Sequence, residues 1–174
     1  MNRHPGGEAH TEAMLEHVVL PEGAGILDMG AGAGETVRLL RRKGLNARGI
    51  DLLPRSSLVE RGDLLHTGFP EKCFDAVISQ CAFFVSGNVF GALREAHRIL
   101  KTGGFLLLSD VFTEDPVFRL QSAGFAVLYS ENLTGLWREY YLEALWKEDA
   151  ACSFPRGKVT YWMLIGRRNE NGSV

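Results

Sequence analysis

Apolar positions along the chain alternate between two patterns, short continuous runs and three- to four-residue spacings, which predicts a succession of strand, helix, strand units. Ala9 to Val18 reads as a first helix with Ala13, Met14 and Val18 on one side. Gly25-Ile26-Leu27-Asp28-Met29 is a short buried strand, followed by glycines and an amphipathic helix over Thr36 to Lys43, which Gly44 ends. Ala47 to Asp51, Phe74 to Ser79 and Phe105 to Ser109 are further strands. Each is apolar enough to be covered on both faces, which implies parallel pairing. A helix from Val89 to Leu100 carries Phe90, Leu93, Ala96, Ile99 and Leu100 on its apolar side and is closed by Lys101-Thr102-Gly103-Gly104. Beyond it come a short helix (Asp115 to Ala123), a strand (Phe125 to Tyr129), a longer helix (Asn132 to Glu148) and a last strand (Val159 to Gly166), with Arg167 to Val174 a frayed polar tail.

No repeat, low-complexity stretch or linker divides this pattern, so one domain is expected. At 174 residues, folding buries roughly 70% of the surface of the extended chain, enough for a core without disulfides or metals. The composition, 45% hydrophobic and 23% charged, is that of an ordinary globular domain. A formal net charge of −2 gives no electrostatic footprint for nucleic acid. Cys73, Cys81 and Cys152 form no CxxC pair and are odd in number, which fits a reducing cytoplasm better than a disulfide framework. The first residues carry charges and glycines where a signal peptide needs an apolar run, and no stretch is long enough for a membrane span. Twenty glycines are a surplus that belongs at special backbone positions.

The surplus concentrates in Ile26-Leu27-Asp28-Met29-Gly30-Ala31-Gly32-Ala33-Gly34-Glu35. A buried strand runs into glycines at alternate positions and then into a helix, so backbone can pass close to a ligand while the helix N-terminus faces the crevice. The dinucleotide fingerprint would place glycine at position 35, where this chain has Glu35. A carboxylate there repels a pyrophosphate, so the pattern leans away from NAD or FAD and towards a nucleoside ligand without phosphates. Asp28 can hold an ammonium group, directly or through water. Asp51 follows the first glycine by 21 residues, where an acid accepts hydrogen bonds from ribose hydroxyls. A cationic amino acid, a ribose and a base without phosphates describe S-adenosylmethionine.

Together with Gly49-Ile50-Asp51, Gly62-Asp63-Leu64, Phe74-Asp75-Ala76-Val77-Ile78-Ser79 and Ala92 to Gly104, the glycine segment resembles the class I S-adenosylmethionine-dependent methyltransferases over roughly residues 25 to 130. The combination is similar to the small-molecule branch that includes ubiquinone, menaquinone and arsenite methyltransferases. The resemblance implies a Rossmann-like doubly wound α/β fold, a mostly parallel seven-stranded sheet with one antiparallel strand and flanking helices. It implies an N-terminal cap helix over 1–24, a cofactor core over 25–130, an aromatic helix with the last strand over 131–167, and a tail over 168–174. It further implies that Gly30, Gly32 and Gly34 wrap the methionine part, that Asp51 takes the ribose hydroxyls, that Asp63 with Leu64 meets the adenine, that Gln80 and Cys81 lie near the methionine and its methyl group, and that Asp28, Ala31 and Leu52 belong to the same cofactor site.

Two departures stand out. Only 11 residues lie between Asp51 and Asp63, where the family has a full helix and a strand, and Pro54 discourages a helix there. A loop and a short edge strand near Leu58 to Glu60 are expected instead. Thr102 replaces the proline that usually precedes the glycine pair.

His4, His10 and His17 flank or lie on the first helix, and a solvated helix face is the expected reading for His10 and His17; no ligand set marks a metal site. His4 precedes a helix that covers the pocket in related enzymes and could line the site. The aromatic residues Trp137, Tyr140, Tyr141 and Trp146 recur at helical spacing, as a core stripe, a substrate lid or the face of a homodimer. Asp110, Tyr140, Tyr141 and His4 are candidate bases, none fixed by spacing. Gln80-Cys81-Ala82-Phe83 stands where amino-methylating DNA enzymes carry an Asn/Asp-Pro-Pro-aromatic segment, so a small, partly apolar molecule is the expected acceptor. A protein that binds the cofactor without transferring its methyl group is the alternative.

Overall fold

A computed structural model describes residues 5–146 and 158–169. His4 and Cys152 lie outside the described residues. The elements are α1 (Gly7–Leu15), β1 (Gly25–Met29), α2 (Glu35–Arg42), β2 (Asn46–Asp51), β3 (Glu60–Arg61), β4 (Phe74–Gln80), α3 (Val89–Ile99), β5 (Leu100–Phe112), α4 (Pro116–Ser122), β6 (Phe125–Asn132), α5 (Thr134–Trp146) and β7 (Thr160–Arg168). The seven strands form one sheet in the order β3-β2-β1-β4-β5-β7-β6. All neighbours are parallel except at β7, which runs antiparallel to both β5 and β6. The expected Rossmann-like α/β architecture is therefore the observed one.

The period of two along a strand sorts the core into two layers. In β1, Ile26 joins Met14 of α1 and Val37 and Leu40 of α2 on one face. Leu27 and Met29 join Leu93 and Ile99 of α3 and Leu120 of α4 on the other. Both faces being covered explains why the central strands read as unbroken apolar runs. The α4 start is fixed by Asp115, whose side chain accepts from the backbone N–H groups of Val117 and Phe118, with Pro116 at the first helical position. No described helix is long and apolar enough to cross a membrane.

Several boundaries differ from the sequence-based expectation, and four of the differences have a visible cause. Helix α1 begins and ends two to three residues early, because Gly6 at φ 77° starts it and Glu16 caps it; His17 and Val18 form only turn bonds to Met14 and Leu15. Lys101 to Gly104 do not close a helix ahead of β5 but belong to it: Leu100 already pairs with Phe74, and Phe105 with Ala76. Four residues thus bulge out opposite Asp75, whose carboxylate accepts from Lys101 Nζ at 2.7 Å and from Gly25 N at 2.8 Å. The edge strand is Glu60–Arg61, slightly later than expected, where it pairs with Ile50 and Asp51. Arg167 and Arg168 are strand rather than frayed tail, because Phe105 and Phe125 supply ladder partners on either side.

Candidate functional site

Sheet order reverses direction between β1 and β4, and such a switch point opens a crevice beyond the carboxyl ends of the strands. Two adjoining cavities lie there. The larger, about 270 Å³, has Asp51, Leu52, Asp63 and Leu64 on its wall. The smaller, about 140 Å³, has Asp28, Ala31, Gly32 and Gln80. Gly30 and Cys81 line both. Every residue expected at the cofactor site is thus brought to one crevice except Gly34. That glycine caps α2 and faces Leu58 and Val59, so it serves the contact with the segment after β2 and not the cavity wall.

The turn after β1 is held from β2. Gly30 N and Ala31 N both donate to Ile50 O at 2.9 Å, and Gly32 N donates to Asp51 Oδ2 at 2.9 Å. Asp51 Oδ1 accepts from Leu53 N, also at 2.9 Å. The acid that ends β2 therefore fixes the glycine turn as well as facing the cavity. Gly30 adopts φ 92°, and a Cβ there would lie 2.2 Å from the Ala82 methyl group, so glycine is required both by conformation and by space.

Asp28, next to last in β1, is 4% exposed. Burial, with the Asp51 charge adding to it, holds its carboxyl up to about 7 against an ordinary 3.8. The unfolded carboxyl ionises near the ordinary value, so the native state binds the extra proton between the two, and stability falls as pH rises through that window. Asp28→Asn removes this dependence. Its unfolding free energy should gain on the parent's by up to about 1.4 kcal/mol for each pH unit crossed. Urea titrations at pH 5 and pH 7 check this, and a gap that stays constant would show an ordinary carboxyl.

Gln80 Oε1 accepts from Thr11 Oγ1 of α1 and Thr36 Oγ1 of α2, each at 3.2 Å, and so ties both helices to the end of β4. Cys81 follows in the left-handed region at φ 59°, a conformation uncommon for a residue with a side chain, and donates its N–H to Ser109 O at 2.8 Å. Asp63 accepts from Leu65 N at 2.8 Å and shapes the turn beside the larger cavity.

Two expectations about titratable groups are corrected. His10 is not on a solvated face: it is 6% exposed, with Nε2 2.7 Å from Ser109 Oγ, which in turn donates to Tyr161 Oη at 2.7 Å. Cys81 Sγ lies 3.5 Å from the same Tyr161 oxygen, so a buried polar chain runs from α1 to the cavity wall. His17 stacks on Tyr129 with ring centroids 3.8 Å apart. Asp110 is not placed to act as a base. It is fully buried, and its carboxylate accepts from Phe83 N at 2.8 Å, Phe84 N at 3.2 Å and Val111 N at 2.7 Å. Desolvation pushes its carboxyl up to about 6, and those N–H groups act against the shift.

Trp137 of α5 is 1% exposed and clusters with Val111, Val159 and Tyr161, with Cys81 and Phe84 packed alongside. The aromatic stripe is therefore core at Trp137, yet this satellite core abuts the crevice. Tyr141 packs on the Trp137 ring, centroids 4.9 Å apart, and Tyr140 meets Tyr141 edge to face. Several wall residues escaped the sequence: Arg55 and Thr36 in the smaller cavity, Ala82 and Val85 in the larger. Thr36 and Ala82 neighbour recognised motifs and could have been found by position.

A family model described as "Methyltransferase domain" matches residues 27–108. The demethylmenaquinone methyltransferase of Tropheryma whipplei (strain Twist) is 34% identical over 103 residues, a stretch that is 51% of this chain and 42% of that protein. The arsenite methyltransferase of Aquipseudomonas alcaligenes is 35% identical over 80 residues, 45% of this chain and 23% of that one. The chain thus spans less than half the length of these relatives. Among solved structures, Haemonchus contortus phosphoethanolamine N-methyltransferase 2 in complex with S-adenosyl-L-methionine superposes with a TM-score of 0.73 at 17% identity, covering 96% of this chain and 54% of that one. The [4+2]-cyclase SpnF superposes with a TM-score of 0.74 at 19% identity, covering 97% and 84%. At such identities the superpositions establish the fold alone, while the family match falls on the segment that builds the glycine turn and its acids.

Proposed function

We propose that the chain is an S-adenosylmethionine-dependent methyltransferase acting on a small, partly apolar acceptor. The observation that carries this reading is the pairing of a buried acid, Asp28, with the Asp51-braced glycine turn at one crevice. The residues present fit the cofactor. The smaller cavity offers the Asp28 carboxylate to an ammonium group, and the larger offers Asp51 to ribose hydroxyls and Leu52, Leu64, Ala82 and Val85 to an adenine face. Glu35 sits in the first turn of α2 and on the smaller cavity, where it disfavours the pyrophosphate of a dinucleotide. Gly30, Ala31, Gly32, Asp63, Gln80 and Cys81 complete the assignment, and Gly34 supports it from behind.

When bound, S-adenosylmethionine supplies an electrophilic methyl group. The chain's contribution is alignment and exclusion of water. Gln80 and Cys81 fix the inner end of the crevice. We read α5 as a lid over that end rather than a homodimer face, because Trp137 turns inward onto Tyr161 beside Cys81. The division into a cap over 1–24, a cofactor core over 25–130, an aromatic unit over 131–167 and a tail over 168–174 belongs to the same reading.

Thermal melts with S-adenosylmethionine, S-adenosylhomocysteine and NAD test the proposal. Either sulfur ligand at 100 times its Kd should stabilise the fold by about 2.7 kcal/mol, and NAD should not. Stabilisation by NAD alone would overturn it. Transfer of labelled methyl to an extract of small metabolites then separates an enzyme from a protein that only binds the cofactor.

A further inference from the structure

The segment that replaces the family's helix after β2 lies as a strap across the glycine turn. Arg55 N donates to Gly32 O at 3.0 Å, Ser56 Oγ donates to Ala33 O at 2.8 Å, and Gly34 packs on Leu58 and Val59. This strap carries the Arg55 guanidinium into the smaller cavity. A Cβ on Gly32 would lie 2.5 Å from Arg55 Nη2, so the guanidinium rests directly over the turn in space that only glycine leaves open. No carboxylate among the described residues forms an ion pair with it. The same cavity holds Asp28 and Glu35, so its walls present acid and base to one small volume. That is the complement of a zwitterion. The guanidinium fork suits a carboxylate in particular, since it offers parallel N–H donors.

We propose that Arg55 recognises the α-carboxylate of the bound ligand's amino-acid moiety, opposite the Asp28 carboxylate that takes the ammonium group. The proposal rests on the reading that the ligand is S-adenosylmethionine or its product. It makes the strap part of the cofactor site and assigns this residue a role in selecting ligands that carry a free amino acid over bare nucleosides.

Isothermal titration of the full chain with S-adenosylhomocysteine and with its decarboxylated analogue, which keeps adenosine, thioether and amine, tests this. The parent should prefer the carboxylated ligand. Arg55→Ala should weaken S-adenosylhomocysteine about 30-fold, or about 2 kcal/mol, the worth of a charge-assisted hydrogen bond. It should leave the decarboxylated analogue within about twofold, with an unchanged melting temperature for the free protein, since the side chain is exposed. Arg55→Lys should fall between. Equal weakening of both ligands, or a loss below about threefold, overturns the proposal, the first by showing that Arg55 only holds the strap. Failure of the parent to bind either ligand overturns the cofactor reading and the proposal with it.

Discussion

Gly30→Ala is expected to abolish cofactor binding and to cost about 2–5 kcal/mol of folding stability, in part from left-handed strain and in part from overpacking. The backbone there is at φ 92°, and the new methyl group would be driven to 2.2 Å from the Ala82 Cβ, far inside contact distance. Ala82 cannot retreat easily. It lies in the Cys81–Phe84 turn, which Cys81 N anchors to Ser109 and Phe83 N and Phe84 N anchor to Asp110. A domain of ordinary stability, about 5–15 kcal/mol, survives such a loss only in part. Urea denaturation gives the stability change and titration with S-adenosylhomocysteine the binding change. Adding Ala82→Gly to Gly30→Ala should restore the overpacking share and leave the backbone share, a non-additivity that a diffuse effect would not give. An unchanged denaturation midpoint in the single variant would show that the turn yields freely.

Asp110→Ala is expected to be comparably damaging, about 3–5 kcal/mol, because it strands buried donors instead of creating a clash. Phe83 N, Phe84 N and Val111 N all point at this carboxylate from a site with no exposure, and alanine gives them no acceptor. Asp110→Asn keeps one carbonyl oxygen and should lose roughly half as much. Denaturation midpoints of the two variants test the order. Asparagine as damaging as alanine would mean that both carboxylate oxygens are indispensable, and near-neutral alanine would mean that the turn finds other partners. Because Cys81 and Ala82 line the crevice, ligand affinity should fall along with stability.

These two positions also mark how far the residues alone could be read. The glycine turn was legible because its requirements are local: a strand, close backbone and a helix start show in ten consecutive residues, and Asp51 follows at a fixed distance. Asp110 was misread because its partners come from a turn some 26 residues earlier, and nothing in its neighbours announces that it faces inward. His10 failed in the same way: its helix is weakly amphipathic, and only the position of Ser109, 99 residues on, explains its burial. Arg55 left no signal, since the strap has neither of the periods by which helix and strand are recognised. The bulge at Lys101 to Gly104 looked like a helix stop because glycine serves both ends.

The place of β7 between β5 and β6 has a consequence for how the chain acquires its structure. Synthesis delivers β6 well before β7, its only sheet neighbour among the described residues. Until Thr160–Arg168 has emerged, β5 lacks its outer partner and β6 lacks the one partner it has among the described residues, so two hydrogen-bonding edges wait open at once. Strand β7 is thus a keystone inserted between two standing neighbours, and the nascent chain is open to association at both edges until it arrives.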